Sequence, residues 1–217
     1  MNFVSIDFET ANNSLYSACA IGAVAYQNIE ITLEDSYLIK PPLFHRKLRK
    51  ENYNIHKIKY SSYIKSGNFF RVWKNLEEKI GSFNDSETIF ICFNAIFDLS
   101  VLLNLLNKYK IDKNYKFYDP MEIEKNIWLN KKSYSLKNLC IDHEIELDHH
   151  NPLSDAKAAG QLAIAQMKEL EVNSLSEVMK KLNLNIITTN YKDSSFNNHY
   201  DVTVPAATNY LDIKKKY

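Results

Sequence analysis

Apolar and polar positions alternate through Asn2-Phe3-Val4-Ser5-Ile6-Asp7-Phe8, the period of a half-buried strand. After the polar stretch Ala11-Asn12-Asn13-Ser14, two more strand-like runs follow around 18 to 27 and 30 to 39, so an antiparallel meander is expected. Phe69, Val72, Trp73, Leu76 and Ile80 repeat at helical spacing. Thr88 to Phe93 reads as a buried strand and Phe97 to Asn107 as a second amphipathic helix. A short strand ending near Asp119, helical segments around 120 to 129 and 135 to 142, and a long helix from about Leu153 to Leu170 complete the pattern. Strands first and βαβα afterwards predict an α/β domain with a mixed five-stranded sheet and helices on both faces. Beyond residue 171 the chain changes character. Asn173 to Leu182 suits one more helix, and the remainder is rich in Asn, Thr, Ser and Tyr without a period. The expected division is a main domain over 1–170 and a C-terminal extension of unknown role over 171–217.

At 217 residues with 45% apolar and 24% charged side chains, the chain suits one ordinary core and excludes disordered and fibrous classes. Its longest apolar runs fall far short of the ~18 residues that span a bilayer, so no membrane association is expected. Met1 to Ser5 carries no basic leader and Lys214 to Tyr217 no lipidation box, which suits a cytoplasmic protein. Cys19, Cys92 and Cys140 are widely spaced among apolar neighbours, the setting of buried reduced thiols rather than a disulfide framework or metal knuckle. The net charge of +1 hides two poles. Residues 1–39 carry Asp7, Glu9, Glu30, Glu34 and Asp35 and no Lys or Arg; residues 40–79 carry eleven basic side chains against three acids, a net +8. Such a stretch is a rim able to attract a polyanion.

Four acids stand where a soluble protein has no structural need of them. Strand alternation puts Asp7 and Glu9 on one face and Ile6 and Phe8 on the other. Asp98 opens a helix and shares the stripe of Val101, Leu102 and Leu105; Asp155 does the same above Ala158, Ala159 and Leu162. The helix dipole favours an acid in a first turn by only ~0.3 to 1 kcal/mol, too little to offset four mutually repelling carboxylates. Two divalent ions would neutralise them, and oxygen-only ligands select Mg²⁺ or Mn²⁺. Paired hard cations suit phosphodiester chemistry, clamping the attacking and leaving oxygens. His149 and His150, in the loop before the last long helix, are both placed to reach an ion at Asp155 and to accept a proton near neutral pH.

Phe3-Val4-Ser5-Ile6-Asp7-Phe8-Glu9-Thr10, Ser17-Ala18-Cys19-Ala20-Ile21-Gly22, Asn94-Ala95-Ile96-Phe97-Asp98 and His150-Asn151-Pro152-Leu153-Ser154-Asp155-Ala156 resemble, in order, the motifs of the DEDDh 3′-to-5′ exonuclease family. That family includes the proofreading epsilon subunit of bacterial DNA polymerase III, RNase T and oligoribonuclease. The resemblance spans residues 1 to 170. It implies an RNase H-like fold and release of nucleoside monophosphates from a nucleic acid 3′ end, with DNA favoured. It further implies two Mg²⁺ or Mn²⁺ ions on Asp7, Glu9, Asp98 and Asp155, with His150 as general base. Thr10, Ala11 and Asn94 take substrate-binding positions on the same ground, and a DNA polymerase is a partner the family suggests. The chain departs from the pattern at Phe93, where relatives often carry His, and at Lys57, where Gly is common. Neither departure touches an expected ligand. The strand is expected to approach over Arg46 to Lys65, with Tyr53, Tyr60 and Tyr63 offered for base stacking. An exoribonuclease acting on short RNA shares every one of these residues, and an inactive nucleic-acid-binding or polymerase-associated module is the rival from another class. The sequence leaves the oligomeric state undetermined.

Overall fold

A computed structural model describes residues 2–81 and 88–216. Met1 and Tyr217, the outer ends of the two expected segments, lie outside the described residues. Asn2–Thr10 (β1), Ala18–Gln27 (β2) and Glu30–Leu38 (β3) form the expected antiparallel meander. Lys50–His56 (α1) and Tyr60–Tyr63 (α2) are short helices within the basic stretch, and Phe69–Ile80 (α3) follows the apolar spacing residue for residue. Ile89–Ile91 (β4) and Lys116–Tyr118 (β5) run parallel to β1, with Ile96–Lys108 (α4) crossing between them. Pro120–Ile127 (α5), Leu136–Asp142 (α6), Pro152–Glu169 (α7) and Leu175–Leu182 (α8) come next.

The expectation of five strands is corrected by the sheet, which has eight among the described residues. Ile187–Asn190 (β6), Ser195–Asn197 (β7) and Thr203–Pro205 (β8) extend it antiparallel beyond β5, giving the order β3-β2-β1-β4-β5-β6-β7-β8. These strands are three or four residues long and rich in Thr, Asn and Ser, too short for a period of two to show. They exist because the edge of β5 offers unpaired backbone groups to a segment that follows it. The chain ends in Tyr210–Lys216 (α9).

Helices cover both faces. Val4, Ile6 and Phe8 point to one side, where Phe69, Trp73 and Leu76 of α3 and Leu99, Leu102 and Leu106 of α4 complete the core. Phe3, Val24 and Tyr26 point to the other, under Ala156, Ala159 and Ala163 of α7, with α8 outside it. Each fully buried large side chain here contributes about 1.5–3 kcal/mol. Residues Asp98 to Leu106 of α4 are buried all round, which demands a cover on the side away from the sheet. The C-terminal segment supplies it: Asn104 Nδ2 donates to the Ala207 carbonyl at 2.6 Å, and Ala207 N–H to Ser100 Oγ at 3.2 Å.

All three cysteines are free and buried, as expected. The two charge poles meet through Lys79 and Asp35 at 2.6 Å. Lys57 ends α1 in the left-handed region, at φ 58°, which accounts for the glycine of the family pattern at that position. Among the described residues, no helix is long and apolar enough to cross a membrane.

Gly22 and Gly160 are places where backbone meets structure too closely for a side chain. A Cβ on Gly22 would stand 2.1 Å from the Pro152 carbonyl oxygen, and one on Gly160 2.6 Å from the Tyr26 ring. Tyr26 cannot yield easily, since it stacks on Phe3 at 4.6 Å and donates its hydroxyl to the Lys157 carbonyl. Gly67 faces only the flexible Arg71 side chain at 3.3 Å. Urea unfolding should therefore rank three variants. Gly67→Ala should be near neutral, Gly160→Ala should lose about 1–3 kcal/mol, and Gly22→Ala should lose the most because its neighbour is backbone.

Candidate active site

Asp7 and Glu9 leave β1 on the face beneath α7. Their cross-strand partners are Gly22 and Ala20, the two smallest residues available, so the floor beside them is bare. Into that space comes the start of α7, capped by the Asn151 side chain and opened by Pro152 at a position whose missing N–H costs nothing. One turn in, Asp155 reaches the strand. Carboxylate oxygens of Asp7, Glu9 and Asp155 lie within 4.8 Å of one another.

Asp98 arrives from the other side of the sheet. The parallel pairing of β4 with β1 stops at Ser5 and Ile91. The chain turns at Asn94, and α4 then places Asp98 so that its Oδ1 accepts the Phe8 N–H at 2.9 Å. Asp98 is thus adjacent to the other three but outside the tightest trio.

His149 and His150 pack ring on ring, 3.9 Å between centroids. His149 Nδ1 lies 3.1 Å from Asp155 Oδ1, and the His150 backbone N–H donates to Asp155 Oδ2 at 2.9 Å. A ring nitrogen of each His lies within 4.8 Å of the Asp155 carboxylate. The φ of 72° at His150 is a left-handed conformation held by that backbone bond. Both imidazoles, left open by the residues alone, therefore sit at Asp155.

The electrostatics reflect crowding. Burial, then the charges of Asp98, Glu9 and Asp155, holds Asp7 well above the ordinary carboxylate range. Burial, Asp155 and Asp98 push Glu9 up to about 8. Burial takes Asp98 to about 8 against the opposing Phe8 N–H. Burial and the neighbouring His149 depress the His150 imidazole, opposed by Asp155. Among the described residues no Lys or Arg pairs with any of the four acids. The donor set is carboxylate oxygen with imidazole at its edge, and its repulsion is what a hard divalent cation relieves.

The expected substrate positions divide. Asn94 is exposed and holds φ 57°, a conformation Asn adopts more readily than most residues. Thr10 is 5% exposed, and its carbonyl accepts Asn52 Nδ2 at 2.9 Å. Ala11 has no exposed surface; its N–H bonds Ser17 and its carbonyl takes the Arg49 N–H, both at 2.9 Å. Both backbone polar groups of Ala11 are thus bonded within the protein. The stacking role expected of Tyr63 is corrected: it is fully buried and donates its hydroxyl to the Arg46 carbonyl.

Sequence reasoning missed Asp119. Its buried carboxylate accepts the N–H groups of Asn94, Ala95 and Met121 at 2.8 to 3.0 Å, tying the turn that carries Asp98 to the start of α5. Burial pushes it up to about 6, against those donors. Asp119 directly before Pro120 is a helix-cap signature that could have marked it. His199, from the loop after β7, holds the same corner. Its Nε2 accepts the Asp119 N–H and its Nδ1–H donates to the Asn185 carbonyl.

No family model matches the chain. One curated relative, the PolC-type DNA polymerase III of Caldanaerobacter subterraneus subsp. tengcongensis, is 27% identical over 94 residues, which is 42% of this chain and 7% of that protein. Among solved structures, the nuclease domain of 3′hExo, described as a DEDDh family member bound to rAMP, superposes with a TM-score of 0.66 at 15% identity, covering 77% of this chain and 92% of that one. A 3′-exonuclease recognising a histone mRNA stem-loop gives 0.66 at 14%, over 77% of this chain and 64% of that one. Exonuclease X in complex with 5′ overhanging duplex DNA gives 0.60 at 20%, over 83% and 98%. The fold is that of the DEDDh 3′-exonucleases.

The raised carboxylates carry a pH signature. Unfolded acids ionise near pH 4, whereas Glu9 and Asp98 in the fold hold protons to about pH 8. Between those values the native state binds more protons than the unfolded one, so stability falls as pH rises. In EDTA, the melting temperature should drop from pH 5.5 to 8.5. Asp7→Asn should flatten that slope and melt higher than the parent at pH 8.5. A parent slope of the opposite sign would contradict the crowding.

Proposed function

We propose that the chain is a metal-dependent 3′-to-5′ exonuclease of DEDDh type. The observation that carries this reading is the convergence of Asp7, Glu9 and Asp155 within 4.8 Å, with Asp98 alongside and two imidazoles at Asp155. The RNase H-like architecture implied by the sequence motifs is consistent with the shared fold. Asp7, Glu9, Asp98 and Asp155 would hold two Mg²⁺ or Mn²⁺ ions. When bound, such ions neutralise the carboxylates and stabilise the charge that develops on phosphate as the ester breaks.

The chain's own residues supply the rest. His150, whose imidazole burial and His149 shift toward the neutral form, accepts the proton of the attacking water, an effect usually worth ~10² to 10⁴ in rate. His149, in hydrogen-bond reach of Asp155, orients the pair of rings. The exposed Asn94 and the edge of Thr10 border the place where the last nucleotide enters. Nucleic acid with a free 3′ end is the substrate. The sequence expectation favours DNA, while the neighbouring structures are named for complexes with both RNA and DNA. The name of the curated relative supports a DNA polymerase as partner.

The deciding experiment incubates the protein with 5′-labelled single-stranded DNA and RNA in Mg²⁺, Mn²⁺ or EDTA and resolves the products. Ladders shortened from the 3′ end, nucleoside 5′-monophosphates and silence in EDTA are expected. Asp7→Asn and Asp155→Asn should each lower the rate by at least ~10³. His150→Ala should lose ~10² to 10⁴, and more than His149→Ala. If the His149 variant is the slower of the two, the proton acceptor is His149. A metal-replete parent that cuts neither polymer overturns the reading.

A further inference from the structure

Of the tyrosines expected to face nucleic acid, Tyr60 is 45% exposed, but the most exposed aromatic ring of residues 40–79 is that of Phe44. The single turn Leu43–His45 leaves Phe44 93% exposed and Leu43 66% exposed. Nothing about this turn is loose. His45 N–H donates to the Pro42 carbonyl and Arg46 Nε to the Pro41 carbonyl, both at 2.8 Å. His45 Nδ1 meets Ser14 Oγ at 2.7 Å, and its ring lies 5.0 Å from that of Tyr16. Asn12 Nδ2 donates to the carbonyls of His45 and Lys47 at 2.9 and 2.8 Å. Asn12 is three residues beyond Glu9, so the turn is fastened to the very loop that leaves the carboxylates.

A phenyl ring held in water in this way has no folding advantage, since burying it would stabilise the fold. After His45 come Arg46, Lys47, Arg49 and Lys50, of which Arg49 pairs with Glu51 at 3.3 Å. An aromatic face beside a row of cations, on a turn fastened to the loop that follows Asp7 and Glu9, matches one ligand chemistry: an unpaired base flanked by its phosphates.

We propose that the Leu43–Phe44 turn is a stacking prong for an unpaired base of the single strand that leads to the 3′ end. The proposal rests on the exonuclease reading for its substrate, but it is tested by binding alone. Phe44 takes one base face, Leu43 widens the apolar contact, and the cations behind it hold the backbone. Because the turn is bolted to the motif-one loop, the prong sets the path of the strand relative to Asp7 and Glu9.

The test is fluorescence anisotropy of a labelled single-stranded 12-mer in EDTA, with wild type, Phe44→Ala, Phe44→Tyr and Ile29→Ala. Ile29 is also an exposed apolar residue, at the β2–β3 turn at the opposite end of the strands from Glu9. Phe44→Ala should weaken binding about tenfold, Phe44→Tyr should restore it, and Ile29→Ala should leave it unchanged. KM for the oligonucleotide should follow the same order, with kcat little affected. Equal affinity of Phe44→Ala and wild type, or an equal loss in Ile29→Ala, overturns the prong. So does unchanged affinity accompanied by a shift from dimer to monomer, which would make the turn a contact between copies. Binding that depends on Phe44 in a protein that cuts nothing overturns the exonuclease reading and leaves the prong standing.

Discussion

The site depends on one close approach, that of the α7 backbone to the bare backbone of β2 at Gly22. A helix normally rides a sheet at the height of the side chains between them. Here the first turn of α7 descends until Pro152 occupies the volume a Cβ would need, and the alanines along the helix keep it low behind that point. Asp155 is a short side chain; only from that height does it meet Asp7 and Glu9. The bare floor is made twice over, since Gly22 and Ala20 are the residues paired with the two acids. Strand, helix and carboxylates are therefore a single constraint, in which the smallest residue sits opposite the most costly one.

That constraint concentrates negative charge, and the surrounding structure is arranged to tolerate it without discharging it. Phe8 N–H partly satisfies Asp98, His149 and the His150 backbone satisfy Asp155, and no Lys or Arg among the described residues enters. Asp119 adds a further buried acid, and its three N–H donors use its carboxylate to hold the α4 turn in place. Polar groups around the centre orient its carboxylates and do not neutralise them.

The C-terminal segment belongs to this support. It extends the sheet, covers the outer face of α4 and sends His199 to the backbone of Asp119. Its last residues return to the loop after β1, where Leu15 N–H donates to the Thr208 carbonyl and Tyr210 N–H to the Asn13 carbonyl. The loop after β1 and the helix α4, the elements beside the metal-ligand candidates of the first half of the chain, are thus tied to residues 207–210.

Periodicity in the sequence determined the meander, the helices α3, α4 and α7 and the faces on which Asp7, Glu9, Asp98 and Asp155 lie, because strand and helix periods are local properties of the chain. The apolar positions of α4 run beyond a single stripe, which requires a cover on the side away from the sheet. What the cover was, and that three polar strands pair beyond β5, could not be read locally, since those strands have only the edge of another strand to define them. The ligand candidates were legible because buried acids break the apolar pattern. Asp119, the burial of Ala11 and Tyr63, and the exposure of Phe44 were not. Whether a side chain points to solvent or into the core in an irregular loop depends on what the remote parts of the chain pack against it, and only the tertiary structure decides that.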